Sequence, residues 1–114
     1  MVYESLTNGI QTLPGTDQTF LATLSTEGDH SLQVTTGSQM LNGRFNHSSV
    51  VMKGENNSER VFVAGGQNGS FYLNSVEEYW GSHWVSRGAM KSARSEFGLV
   101  ELEGRLWAVG GWAE

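Results

Sequence analysis

Two short apolar runs in this chain each end in a pair of glycines, VFVAGG over Val61–Gly66 and LWAVGG over Leu106–Gly111, and this recurrence constrains the fold more than any other feature. Met40 and Arg44 return in the same relation as Met90 and Arg94, fifty residues later. The chain therefore reads as an internal repeat with a period near 50 residues, stacked copies of one supersecondary unit. The copies differ in length, with 21 residues from Arg44 to Gly65 and 16 from Arg94 to Gly110. The five extra residues fall in the polar stretch Gly54-Glu55-Asn56-Asn57-Ser58-Glu59, a surface turn of the kind that absorbs insertions.

No window places apolar residues at helical spacing over ten positions, whereas β-branched and aromatic residues fill short runs between glycines. That pattern predicts an all-β chain with almost no helix. Glycine at 15 of 114 residues, beside a single proline and only 17% charged residues, points to many tight turns rather than a disordered tail. The expected strand pairs are His47–Lys53 with Arg60–Ala64, Phe97–Leu102 with Arg105–Val109, and Asn74–Tyr79 with His83–Ser86 about a short turn at Gly81. VFVA and LWAV are apolar at consecutive positions, as a strand is when both of its faces are covered. Nearer the start, Thr19–Leu24 and Ser31–Thr36 flank Glu27-Gly28-Asp29 and read as a hairpin. Two registers compete there. Matching Glu27-Gly28 with Glu103-Gly104 makes it an inner strand pair, while matching Val34 with Trp84, as the 50-residue offset requires, makes its second strand an outermost one.

The Gly-Gly pairs, followed by Tyr79 and Trp84, resemble the kelch repeat, one four-stranded antiparallel blade of a β-propeller. The likeness covers residues 40 to 112 and implies three parts: a degenerate or truncated blade segment over 1–39, a kelch blade over 40–89, and the first half of the next blade over 90–114. Propellers typically close with four to eight blades, so the resemblance implies a partial, unclosed propeller whose remaining blades are missing from this chain. It also assigns structural roles. Gly65, Gly66, Gly110 and Gly111 let other groups approach the backbone closely, and Tyr79 and Trp84 fill the space between blades. Arg44 and Arg94 bond neighbouring carbonyls or a carboxylate such as Glu77.

Kelch propellers mostly recognise proteins. The resemblance thus implies a protein–protein interaction module with a protein partner, of the substrate-adaptor or cytoskeletal-scaffold type. In such propellers the loops after the glycine pairs and those leading into the next blade gather on one face. The partner-binding candidates are accordingly Gln67, Asn68, Ser70, Phe71, Tyr72 and Arg87, joined by Asn46 and Glu96, which stand two residues after the repeated arginines. Aromatics in a polar loop are enriched at interface hot spots, which singles out Phe71 and Tyr72. Neither Asn46 nor Glu96 is basic, so a strongly acidic peptide ligand is not expected.

Other classes are excluded or disfavoured by what the chain lacks. With no cysteine, disulfides, thiolate catalysis and Cys-based zinc sites are ruled out. His30, His47 and His83 show no metal-ligand spacing, and neither a metal nor a cofactor is expected. A formal charge of −5 with seven scattered basic residues argues against nucleic-acid and anionic-membrane partners. No signal-type segment occurs and no apolar stretch approaches membrane-spanning length, so a cytoplasmic location is expected. Without a G-x-S-x-G, P-loop or dinucleotide fingerprint the chain is not expected to be an enzyme. The alternative is a fragment of a propeller enzyme of the galactose-oxidase or sugar-processing class, its catalytic residues lying outside this chain.

Overall fold

The computed structural model describes residues 20–24 and 32–113. Among these residues ten strands follow one another: β1 (Phe20–Leu24), β2 (Leu32–Thr36), β3 (Ser48–Lys53), β4 (Glu59–Ala64), β5 (Gln67–Asn68), β6 (Phe71–Tyr72), β7 (Ser75–Trp80), β8 (His83–Ala89), β9 (Gly98–Leu102) and β10 (Arg105–Val109). Among the described residues all the sheets are antiparallel and none closes on itself. The helical content of the described residues is a single 3₁₀ turn, Glu55–Asn57, inside the expected insertion.

A four-stranded meander in the order β3-β4-β7-β8 forms the centre of the molecule. Its strands fall where the sequence pattern places them, with Ser48 opposite Ala64, Val63 opposite Glu77 and Tyr79 opposite Trp84. Only the two turn residues Gly81 and Ser82 separate β7 from β8, as the close spacing of Tyr79 and Trp84 requires. The two rings then meet edge to face at 5.3 Å. Trp84 packs with Met40, Val61 and Val63 as the core cluster, and its indole N–H donates to the Ser38 carbonyl at 3.0 Å. Val61 to Ala64 are all buried, so β4 is covered on both faces.

The second copy repeats only part of this pattern. β9 and β10 pair from Gly98 opposite Val109 to Leu102 opposite Arg105. Phe97, just before β9, takes a hydrogen bond on its carbonyl from the Ser48 hydroxyl of β3. The LWAV run nevertheless departs from the two-face expectation: Trp107 is 49% and Val109 63% exposed. Among the described residues no strand lies beyond β10, so the cover that β7 and β8 give β4 has no counterpart there.

β1 and β2 form the expected hairpin, Phe20 opposite Thr36 through Leu24 opposite Leu32. They pair only with each other among the described residues, which leaves both of its registers standing. Its turn at Glu27-Gly28-Asp29 lies outside the described residues. No helix among the described residues is long and apolar enough to cross a membrane.

Candidate functional site

The repeated arginine explains how the loops at one end of the meander are held. Arg44 is fully buried, and its guanidinium donates to the Gly65 carbonyl at 2.8 Å, the Ser75 carbonyl at 3.2 Å, the Ser75 hydroxyl at 3.0 Å and Glu77 Oε2 at 2.6 Å. Glu77 also accepts from the Leu41 and Asn42 amides, at 2.7 and 3.1 Å. Burial lowers the Arg44 pKa from its usual value, and the Glu77 charge and hydrogen bond oppose that shift. One ion pair thus ties the chain before β3 to the end of β4 and to β7. The expected carboxylate partner, Glu77, is the observed one.

On this base the predicted loops converge. β5 and β6 form a small hairpin, with Gln67 opposite Tyr72 and Asn68 opposite Phe71, turning at Gly69-Ser70. Phe45 and Gln67 exchange backbone hydrogen bonds of 2.9 and 2.8 Å. The Asn46 amide reaches Gln67 Oε1 at 3.4 Å, and the Asn68 amide donates to the Gly43 carbonyl at 3.0 Å. The next unit joins the same end, because Gly66 N–H donates to the Arg94 carbonyl at 2.8 Å, Arg94 N–H to Leu73 at 3.1 Å and Glu96 N–H to Asn46 at 3.0 Å. Asn46 and Glu96 share a left-handed backbone, φ 56° and 52°. That conformation is ordinary for Asn and uncommon for Glu, and it turns corresponding residues of both units the same way.

The structure therefore brings together Gln67, Asn68, Ser70, Phe71, Tyr72, Asn46 and Glu96. Phe71 is 73% exposed and Tyr72 is half-buried, so the two aromatics divide between presentation and packing. Arg87 stands apart. Its Nε donates to Glu78 Oε1 at 2.8 Å, and its guanidinium lies 5.6 Å from the Trp80 ring centre. It lines an open groove of about 1030 Å³ together with Gly54, Asn56, Arg60 and Trp80, alongside the loop at the other end of β4. Arg60 also grips Glu78, through Nε at 2.8 Å and a second nitrogen at 2.9 Å. Its hydrogen bond is the main reason that Glu78 sits below the usual carboxylate range, against the effect of burial.

One residue at the convergent end escaped the sequence reading. Ser95 and Trp112 exchange two backbone hydrogen bonds of 2.9 Å, the counterpart of Phe45 with Gln67, and Trp112 is 66% exposed. Its signal was its place directly after the second glycine pair, the place Gln67 holds after the first. Among the described residues no group of three or more His, Asp or Glu side chains could hold a metal ion. No protein-family model matches the chain, and a search of curated proteins returns no match.

Proposed function

We propose that this chain is part of a kelch-type β-propeller that recognises a protein partner through the end carrying Gln67, Asn68, Phe71, Tyr72, Asn46, Glu96 and Trp112. The observation that carries this reading is Phe71: a ring 73% exposed, on a hairpin whose backbone is tied to two successive units. An exposed aromatic on a rigid support is how interfaces place their anchors, since little side-chain freedom is lost when it is covered. The fold supports the blade assignment through its four-stranded meander and through the placement of the second inner hairpin beside the first. The residues around Phe71 are amides and one carboxylate, which suit a partner offering backbone groups and an apolar side chain rather than an anionic one.

Quantitative capture from cell extract with the full chain and with Phe71→Ala tests the reading. The expected result is a defined partner set lost at least tenfold in Phe71→Ala, a hot-spot effect, with an unchanged melting temperature. Asn56→Gly, at the other end of β4, retains the whole set. Loss of the set in Asn56→Gly with retention in Phe71→Ala would put the binding surface at the wrong end.

A further inference from the structure

Asparagine followed by glycine occurs three times, at 8–9, 42–43 and 68–69. The pair has a chemistry of its own, because glycine, with no Cβ, leaves its backbone nitrogen open to the asparagine side chain. The first pair lies outside the described residues, and the other two are held very differently. Asn68 ends β5 inside a hairpin, half-buried, and its amide donates to the Gly43 carbonyl at 3.0 Å. Asn42 stands exposed in the bend before Arg44. Among the described residues its side-chain amide has no hydrogen-bond partner, and neither has the Gly43 N–H.

Nothing in the backbone calls for glycine at 43. Its φ is not positive, and the second unit makes the same bend over Lys91 and Ser92 with Ala93 in that place. At this bend the reactive pair belongs to the first unit alone, and it lies against the buried ion pair. The Asn42 N–H donates to Glu77 Oε2 at 3.1 Å, and the Asn42 carbonyl accepts from Arg44 Nε at 3.4 Å. The next carbonyl, that of Gly43, is the one that holds Asn68.

We propose that Asn42 is a site of self-modification, an exposed amide whose conversion to isoaspartate unfastens the buried Arg44–Glu77 pair. The Gly43 nitrogen attacks the Asn42 side-chain carbonyl carbon and closes a succinimide ring, while the amide nitrogen leaves as ammonia with the proton from Gly43. Water then opens the ring. Breaking the new C–N bond leaves aspartate and an unaltered backbone path; breaking the original backbone C–N bond leaves isoaspartate. In isoaspartate the former backbone carbonyl, which faces Arg44 Nε, becomes a free carboxylate and competes with Glu77 for the one guanidinium, two like charges sharing a site. The chain also gains a methylene between the Asn42 N–H and the Gly43 carbonyl, which draws the hold on Glu77 and the anchor of Asn68 out of register. This inference stands apart from partner recognition at Phe71 and survives the failure of that reading.

The test ages the purified full chain in mildly alkaline buffer at physiological temperature. Isoaspartate is located by peptide mapping after enzymatic methylation of its carboxylate, so that the three pairs are read separately. Isoaspartate is expected at residue 42 roughly fivefold or more ahead of residue 68, where a hydrogen bond must first open. The aged chain is expected to melt about 4 °C or more below the fresh one. Gly43→Ala and Asn42→Ser, which write the second unit's residues into the first, are expected to keep their fresh melting temperatures on ageing. Should one of them fail to fold, the other carries the comparison, and the ratio of residues 42 to 68 in the unaltered chain needs neither. Equal isoaspartate at 42 and 68 overturns the proposal. So does modification at Asn42 with an unchanged melting temperature, or an equal loss in the aged variants, which would place the damage elsewhere.

Discussion

The first unit, from Arg44 to Ala89, and the second, from Arg94 to Trp112, share an arginine, a glycine pair and an inner hairpin, yet only one of them builds a core. In the first, Arg44 is sealed beneath Glu77 and β4 is buried along Val61–Ala64. In the second, Arg94 keeps its contact to Gly110 while Trp107 and Val109 stay half open. The difference teaches that the repeated residues set local backbone geometry, and that burial comes from the outer strands. The motif is a template; the energy lies in what covers it.

The sharpest way to break this comparison is to remove the acid. Glu77→Gln leaves Arg44 buried with its charge uncompensated and is expected to cost about 3–5 kcal/mol in denaturant unfolding. Arg94→Met is expected to cost less than about 1 kcal/mol, since its guanidinium meets no acid among the described residues. Similar costs at the two sites would mean that the ion pair contributes nothing to the contrast between the units.

Next come the large aromatics. Trp84→Ala opens a cavity among Met40, Val61 and Val63 and is expected to cost about 3–5 kcal/mol. Trp107→Ala, from a ring already half in water, is expected to cost no more than about 1 kcal/mol. A Trp107 penalty equal to that of Trp84 would show that β10 is covered in solution.

A third contrast is written at matching positions, His47 and Phe97. Burial, with the Arg44 charge adding to it, pushes the His47 pKa down to about 4, and its Nδ1 is buried without a hydrogen-bond partner. The folded pKa lies below the unfolded value near 6.5, so the unfolded chain binds the extra proton. The His47 contribution is therefore whole above about pH 6.5 and disappears as the pH falls to about 4, a loss of roughly 3 kcal/mol. Glu78, held low chiefly by Arg60, loses its contribution in the same direction under more acid conditions. His47→Phe, which writes the second unit's residue into the first, is expected to flatten stability between pH 6.5 and 4. An unchanged slope would place the acid sensitivity elsewhere.

The smallest effect belongs to the inserted loop. Asn56 and Asn57 both adopt positive φ, 55° and 63°, which asparagine tolerates well. Asn56→Gly is expected to change stability by less than about 0.5 kcal/mol, while Asn56→Ala costs about 1 kcal/mol from backbone strain alone. Equal costs for Gly and Ala would mean that the side chain, not the backbone, holds this turn.

Much of the fold was legible because the repeat is read twice. Strand pairs, the Gly81 turn and the insertion all follow from aligning one copy with the other, and Glu77 follows from the need of a buried arginine for an acid. The candidate surface was legible in part. The β5–β6 hairpin does not show in the apolar pattern, which marks a polar loop there, although glycine at the first place of a two-residue turn, here Gly69 before Ser70, is a hairpin signal. The left-handed backbone of Glu96 had no such signal, because glutamate has no preference for it; in that conformation its N–H donates to the Asn46 carbonyl of the preceding unit. Arg87 was expected in a loop because the sequence pattern ends its strand at Ser86, whereas β8 runs on to Ala89, through a register shift against β7, and holds Arg87 within the strand.

The glycine pairs carry one more consequence. A side-chain carbon added at Gly66 or at Gly111 would collide within its own unit, 2.5 Å from the Phe45 or Ser95 carbonyl. At Gly65 the collision is with the following unit, with the Arg94 carbonyl at 2.5 Å and the Phe97 ring at 2.6 Å, whereas at Gly110 nothing stands within 4 Å. The second glycine of each pair thus answers to its own unit, the first to its neighbour. Alanine at either first glycine is strained by the positive φ, 65° at Gly65 and 76° at Gly110, so the genetic occupancy gauge is the cost beyond that shared strain: in living cells, a Gly110 that rejects alanine as firmly as Gly65 would report a neighbour seated against it, without any structure of the pair.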